Sequence, residues 1–170
     1  MEQAPPFDEL MASAHQSAVH LEMRDFYTPS DPIFLDWKAG KQFDPVERMA
    51  DWFRSRRSTL ARGVVIRRAR IVSEPLSDFT RHEFEMTPRL NIPAGEQVRW
   101  LPRPRASDLA LPGNDFWVFD EHTIRFGYFA GDGELVGHEV CRDPDVLKLC
   151  LSAFEAVWDR AIPHEDYRPS

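Results

Sequence analysis

The sequence predicts an α/β (or α+β) domain, a single layered unit with a mixed sheet, a central buried strand and flanking helices. Three observations carry this expectation. The run DFWVFD, Asp115 to Asp120, sets four large apolar residues between acids, as a short strand buried on both faces requires. Asp-Pro pairs stand at 31–32, 44–45 and 143–144, each a helix start with Asp as N-cap and Pro at the first helical position. Between these signals, segments of helical and of alternating period are interleaved, ending in a meander and a closing helix.

Taken in order, Phe7 to His15 reads as a short helix, with Phe7, Leu10 and Met11 on one face. Ser17 to Asp25 alternates: Val19, Leu21 and Met23 on one side, His20, Glu22 and Arg24 on the other. This predicts a half-buried strand. Asp31-Pro32 opens a helix to Lys38. Asp44-Pro45 opens another, which Val46, Met49, Trp52 and Phe53 extend toward a stop at Gly63. Val64 to Val72 reads as a strand, Ser77 caps a helix rising to Pro88, and Glu96 to Leu101 is a further strand. Thr123–Ala130 and Glu134–Cys141 flank the turn Gly131-Asp132-Gly133 as an antiparallel pair. The strongest helix spans Asp143–Ala161, with Leu147, Cys150, Leu151, Phe154 and Trp158 in an apolar stripe facing Phe116–Phe119. Residues 1–170 are expected to form one domain, helical over 1–60, with the sheet core and closing helix over 61–170.

Composition bounds the function. With 21 Lys and Arg against 28 Asp and Glu, the net charge is −7, which argues against a surface-wide nucleic-acid platform. No apolar run reaches the ~18 residues of a membrane span. Cys141 and Cys150 form no CxxC pair and read as reduced core thiols of a cytoplasmic protein. The six histidines show no close metal spacing, no phosphate-binding glycine loop is present, and no cofactor is expected.

The charge pattern is informative in one place. Between Asp51 and Glu74 stand seven arginines (54, 56, 57, 62, 67, 68 and 70) and no acid. Arg68 and Arg70 share strand parity with Ile66, so they enter the core side and need an acid partner or a ligand. One expectation is an anion-receptive surface built from Arg68 and Arg70 with Arg99; the rival pairs these arginines with Glu22, Glu74, Glu83 or Asp120. A wider polar set comprises Arg70, Arg81, Glu83, Arg99, Asp115 and Asp120.

Five segments carry a family resemblance: SAVHLEMRDFY (17–27), VVIRRARIVSEPLSDFTRHEFE (64–85), AGEQVRWLPR (94–103), LPGNDFWVFD (111–120) and AFEAVWDRAIPHEDY (153–167). They resemble the actinobacterial DUF6879 proteins, a family of unknown function. The resemblance implies a gene context shared with helix-turn-helix regulators, hence regulation or signalling, and supplies no catalytic residues. The strand and loop before Asp120 also look like the phospholipase-D pattern His-x-Lys-x4-Asp, with Asp120 at the aspartate. Gly113 and Asp115 then stand where the histidine and lysine are required, so the resemblance implies that scaffold without its catalytic pair.

Two functional expectations follow. The first is a non-catalytic regulatory or binding domain, the partner of a helix-turn-helix regulator or the sensor of a small anionic ligand, with Trp37, Trp52 and Trp100 available to an interface. The alternative is a small cytoplasmic enzyme whose Arg81, Glu83, Asp115 and Asp120 line one pocket. Direct binding of nucleic acid or membrane is not expected.

Overall fold

The computed structural model describes residues 2–170. The elements, in chain order, are β1 (Glu2–Gln3), α1 (Phe7–Ser13), β2 (Ser17–Glu22), α2 (Pro32–Lys38), α3 (Pro45–Arg48), α4 (Ala50–Ala61), β3 (Val65–Val72), α5 (Asp78–Met86) and α6 (Asn91–Ala94). There follow β4 (Glu96–Pro102), a 3-10 turn (Arg103–Ala106), β5 (Phe116–Phe119), β6 (Thr123–Phe129), β7 (Leu135–Cys141), α7 (Pro144–Arg160) and β8 (Ile162–Pro163).

The three Asp-Pro starts act as local chemistry dictates. Asp31 accepts from the amides of Ile33 and Phe34, Asp44 from Val46 and Asp143 from Asp145, at 2.7–3.0 Å. Each satisfies amide donors that a helix start leaves orphaned. The helix expected from Asp44 to Gly63 is broken, however. Met49, at φ −115° and ψ 37°, leaves helical geometry and divides it into α3 and α4. No proline or glycine marks that break, so the sequence carries no sign of it.

The strands form one mixed sheet in the order β1-β7-β6-β5-β2-β3-β4-β8. β2, β3 and β4 run parallel to one another, and the remaining pairs are antiparallel. β5 is central and buried at all four positions. Its parity splits it between two cores: Phe116 and Val118 meet Cys150, Phe154, Val157 and Trp158 of α7, whereas Trp117 and Phe119 face α1. The α7 stripe thus packs on alternate β5 residues only, and Leu147 and Leu151 stay at its edge, partly buried. Cys141 and Cys150 lie in this core as free thiols.

β2 is not half-buried. His20 and Glu22, expected on a solvent face, lie beneath helices, because α1, α4, α5 and α6 cover the side of the sheet opposite α7. Trp100 is likewise no interface residue. It is fully buried, stacked on Tyr167 at 5.6 Å, and donates to His164 Nδ1 at 3.1 Å.

β5 and β6 join through Asp120, Glu121 and His122; the first two stand at φ 50° and 53°, and the His122 amide closes the turn on the Phe119 carbonyl at 3.0 Å. Asp120 tolerates this backbone because its carboxylate accepts the amides of His15, Gln16 and Ser17 at 2.7–3.0 Å, tying the hairpin to the start of β2.

Candidate functional site

On the helix-covered face opposite α7, strand register sets polar side chains in rows. His20 stands beside Arg68 and Trp117, and Glu22 beside Arg70. Across from Trp117, on β6, comes Arg125.

Beneath α4, α5 and α6 the charges knit together. Glu22 takes Arg68 Nη1 on one oxygen and Arg70 Nε on the other. Glu96 accepts from Arg68 (Nε at 2.9 Å), from Arg56 (Nε at 3.2 Å) and from the Asn91 amide (2.9 Å). Arg70 reaches on to Glu83 of α5 at 2.9 Å. Three arginines therefore face three glutamates. Burial works against charge on Glu96, but Arg68, with Arg56 and Asn91, overcomes it and holds the carboxyl down to about 2. Glu22 is likewise held well below the usual range, Arg70 and Arg68 outweighing burial. Glu83 goes the other way: burial, with Glu22 nearby, outweighs the Arg70 charge and pushes it up to about 7.

Beside this network opens a cavity of about 260 Å³, walled by His20, Glu22, Tyr27, Glu83 and Asp115 on one side and Trp117, Arg125, Phe129 and His138 on the other. Asp115 accepts from the Met23 amide at 2.9 Å and from the Tyr27 hydroxyl at 2.5 Å. Burial, reinforced by Glu22, raises its carboxyl to about 6 against the Tyr27 bond. His20 stacks on Trp117 at 4.2 Å, and burial with the Arg68 charge lowers it to about 4, so the ring is neutral at pH 7. Burial and Arg125 also lower His138. The Arg125 guanidinium lies over Phe7 at 5.3 Å. Its Nε is buried with no hydrogen-bond partner, and no carboxylate among the described residues lies in salt-bridge range. A second cavity, about 180 Å³, lies between α4 and α5, where Glu83 also lines the wall and His82 Nδ1 has no partner.

The residues expected from sequence distribute unevenly. Arg68 and Arg70 sit in the network, Glu83 bridges it to the cavity, and Asp115 lines the cavity. Arg99 belongs to the opposite face, where it donates to the Trp158 carbonyl at 3.0 Å and lies over that ring at 4.3 Å. Arg81 is exposed on the outer side of α5, and Asp120 is held in the β5–β6 hairpin. The surface expected from Arg68, Arg70 and Arg99 is therefore not assembled, since internal acids take the first two. The other arginines of the run scatter: Arg54 to Asp51, Arg62 to the Met11 carbonyl, Arg67 to Glu155. Sequence reasoning missed His20, Glu96, Trp117, Tyr27, His138 and Arg125 as site residues. The polar positions of a strand otherwise walled by large apolar groups were the one available signal, and it pointed to His20 and Glu22.

Fold and site define a mixed α/β domain of phospholipase-D-like architecture, with a self-neutralising ion network and two charge-lined cavities on the same face. The family model described as "Domain of unknown function (DUF6879)" matches residues 5–169, and the chain belongs to that family. Among solved structures it is similar to Nuc, a phospholipase D family member from Salmonella typhimurium, with 16% identity and a TM-score of 0.53 over 95% of this chain and 88% of that one. It also matches TrmBL2, an archaeal chromatin protein, at 13% identity and a TM-score of 0.45 over 91% of this chain and 47% of that chain; a likeness this distant carries no argument. No curated protein matches. Among the described residues no helix is long and apolar enough to cross a membrane, and no cluster of His, Cys, Asp and Glu is arranged to hold a metal ion.

Proposed function

We propose that the protein is a non-catalytic binding domain that senses a small anionic ligand in the cavity beside Arg125. On this reading it passes occupancy to a protein partner, a DNA-binding regulator of helix-turn-helix type, in an actinobacterial cytoplasm. The observation that carries the reading is Arg125 itself, a half-buried guanidinium at the cavity wall with no internal countercharge. A cation removed from water without a partner is costly, and an incoming anion relieves that cost. The regulator is supported only by the gene context that the family resemblance implies. The cytoplasmic placement draws on two thiols left free in one core.

The reading is non-catalytic because Gly113 is exposed in a loop and Asp115 is an acid, so neither His nor Lys of the phospholipase-D pattern is supplied. An enzyme reading is favoured by one observation: Glu83 and Asp115, both raised toward neutrality, share the cavity, as acid–base pairs do. Against it, Arg81 and Asp120 lie outside.

The test is calorimetric titration of wild type and Arg125→Gln with acetate, 3-phenylpropanoate and inorganic phosphate at low and high salt. At least one anion should bind the wild type, more weakly as salt rises, and fail to bind Arg125→Gln at unchanged melting temperature. Binding by none of them, or equal binding by the variant, overturns the reading. Turnover of bis(4-nitrophenyl) phosphate abolished by Asp115→Asn would establish the enzyme instead.

A further inference from the structure

The charges of the cavity wall are four: Glu22, Glu83, Asp115 and Arg125. Two are spent internally, Glu22 on Arg68 and Arg70, and Glu83 on Arg70 through Oε1. Asp115 and Arg125 are in no ion pair among the described residues, and they do not pair with each other. The fold holds them apart. Asp115 is tethered by the Met23 amide and the Tyr27 hydroxyl, while Arg125 is drawn over the Phe7 ring at the other end. Register makes the separation explicit. The Gly127 amide donates to the Asp115 carbonyl at 2.9 Å, and Arg125 stands opposite Trp117, so the two charges sit diagonally on neighbouring strands. Diagonal positions on one sheet face are about 7–8 Å apart at the backbone. Between them Gly127 contributes no side chain, leaving a floor bounded by the rings of Trp117 and Phe129. The cavity is therefore negative at one pole and positive at the other, with the rings of Trp117 and Phe129 in its wall.

We propose that the cavity takes a small zwitterion, its carboxylate on Arg125, its ammonium on Asp115 and a short apolar or aromatic skeleton against Trp117 and Phe129. The inference rests on the anion-sensing reading above and adds the second pole. The Asp115 oxygens accept one hydrogen bond each, which leaves lone pairs for an ammonium donor. Neighbouring Glu22 does not replace it, because its charge is already balanced by Arg68 and Arg70. A volume of about 260 Å³ has room for a molecule of amino-acid size. The α-amino acids and the longer ω-amino acids share this chemistry, and probes separate them.

The experiment titrates the full chain with four molecules of similar skeleton: 3-phenylpropanoate (carboxylate only), phenethylamine (ammonium only), L-phenylalanine (α-zwitterion) and 4-(aminomethyl)benzoate (extended zwitterion). One zwitterion should bind about tenfold or more tighter than 3-phenylpropanoate, as one charge-assisted hydrogen bond provides. Phenethylamine should bind least. Asp115→Asn, whose Oδ1 can still accept from the Met23 amide, should lower zwitterion affinity to that of 3-phenylpropanoate and leave the latter unchanged. Equal binding of 3-phenylpropanoate and both zwitterions, or an Asp115→Asn protein that binds them like wild type, overturns the second pole while the anion site stands. Binding of none of the four, or binding indifferent to Arg125→Gln, removes both. Should Asp115→Asn unfold, Tyr27→Phe replaces it: it frees Oδ2 without removing the charge, and zwitterion affinity should hold or rise.

Discussion

Replacement of Glu96 by glutamine tests whether the ion network holds the fold together. The side chain has no exposed surface and bridges Arg56, Arg68 and Asn91. Without its charge, Arg56 has no carboxylate in range and Arg68 keeps only Glu22. Two routes give the cost. Breaking a buried pair by removing one partner costs about 3–5 kcal/mol. Independently, a carboxyl at about 2 instead of 4.5 corresponds to about 3 kcal/mol of linked stability. For a chain of this size the loss lowers Tm by roughly 6–20 °C. The sign follows from the depressed carboxyl: its stabilisation is complete above pH 4.5 and disappears as pH falls through about 2. The gap between wild type and Glu96→Gln should therefore be widest at neutral pH and shrink toward pH 2. Urea titrations followed by tryptophan fluorescence at pH 7 and pH 3 measure it. A loss below about 1 kcal/mol at pH 7, or a gap that widens in acid, refutes the reasoning.

Arg68→Glu would set a third acid between Glu22 and Glu96, and the variant should fail to fold, as circular dichroism would report. Glu83, raised by burial to about 7, withdraws stability as pH rises from 4.5 through 7; in Glu83→Gln that withdrawal should vanish, so the variant gains on wild type by roughly 1–3 kcal/mol between pH 4.5 and 8 in parallel denaturation curves. Trp158→Ala empties the α7 core and should cost about 3–5 kcal/mol; an unchanged melting temperature would contradict the packing. Asp120→Ala strips three backbone amides of their acceptor and should cost about 2–3 kcal/mol in the same assay.

The features legible in the sequence are those fixed by chemistry a few residues long. An aspartate before a proline caps a helix whatever surrounds it, and four apolar residues between acids make a buried strand. The apolar stripe of α7 was readable for the same reason, although its exact partners depended on which β5 residues turned toward it. The site was less legible because it depends on parity across strands far apart in sequence. Arg68 and Arg70 were rightly placed with the core residue Ile66. Arg99 pairs in register with Ala69, and that single step sends it to the other face. Glu96, just after the turn at Gly95, looked like an ordinary strand start, and only the helices folded over it reveal a buried anchor. Arg125 alternates with apolar neighbours as any hairpin residue would; that its neighbours leave it without an acid is a fact of three-dimensional arrangement.

The two thiols beneath α7 turn this core into its own clock. Cys150 has no exposed surface, and burial pushes its thiol up to about 12, so almost none is thiolate at neutral pH. A disulfide reagent can modify it only when α7 lifts or the whole chain opens. At saturating reagent, labelling then proceeds at the rate of that opening. Measured across urea concentrations, the rate distinguishes local release of the helix, insensitive to denaturant, from global unfolding. No label or probe need be engineered into the chain.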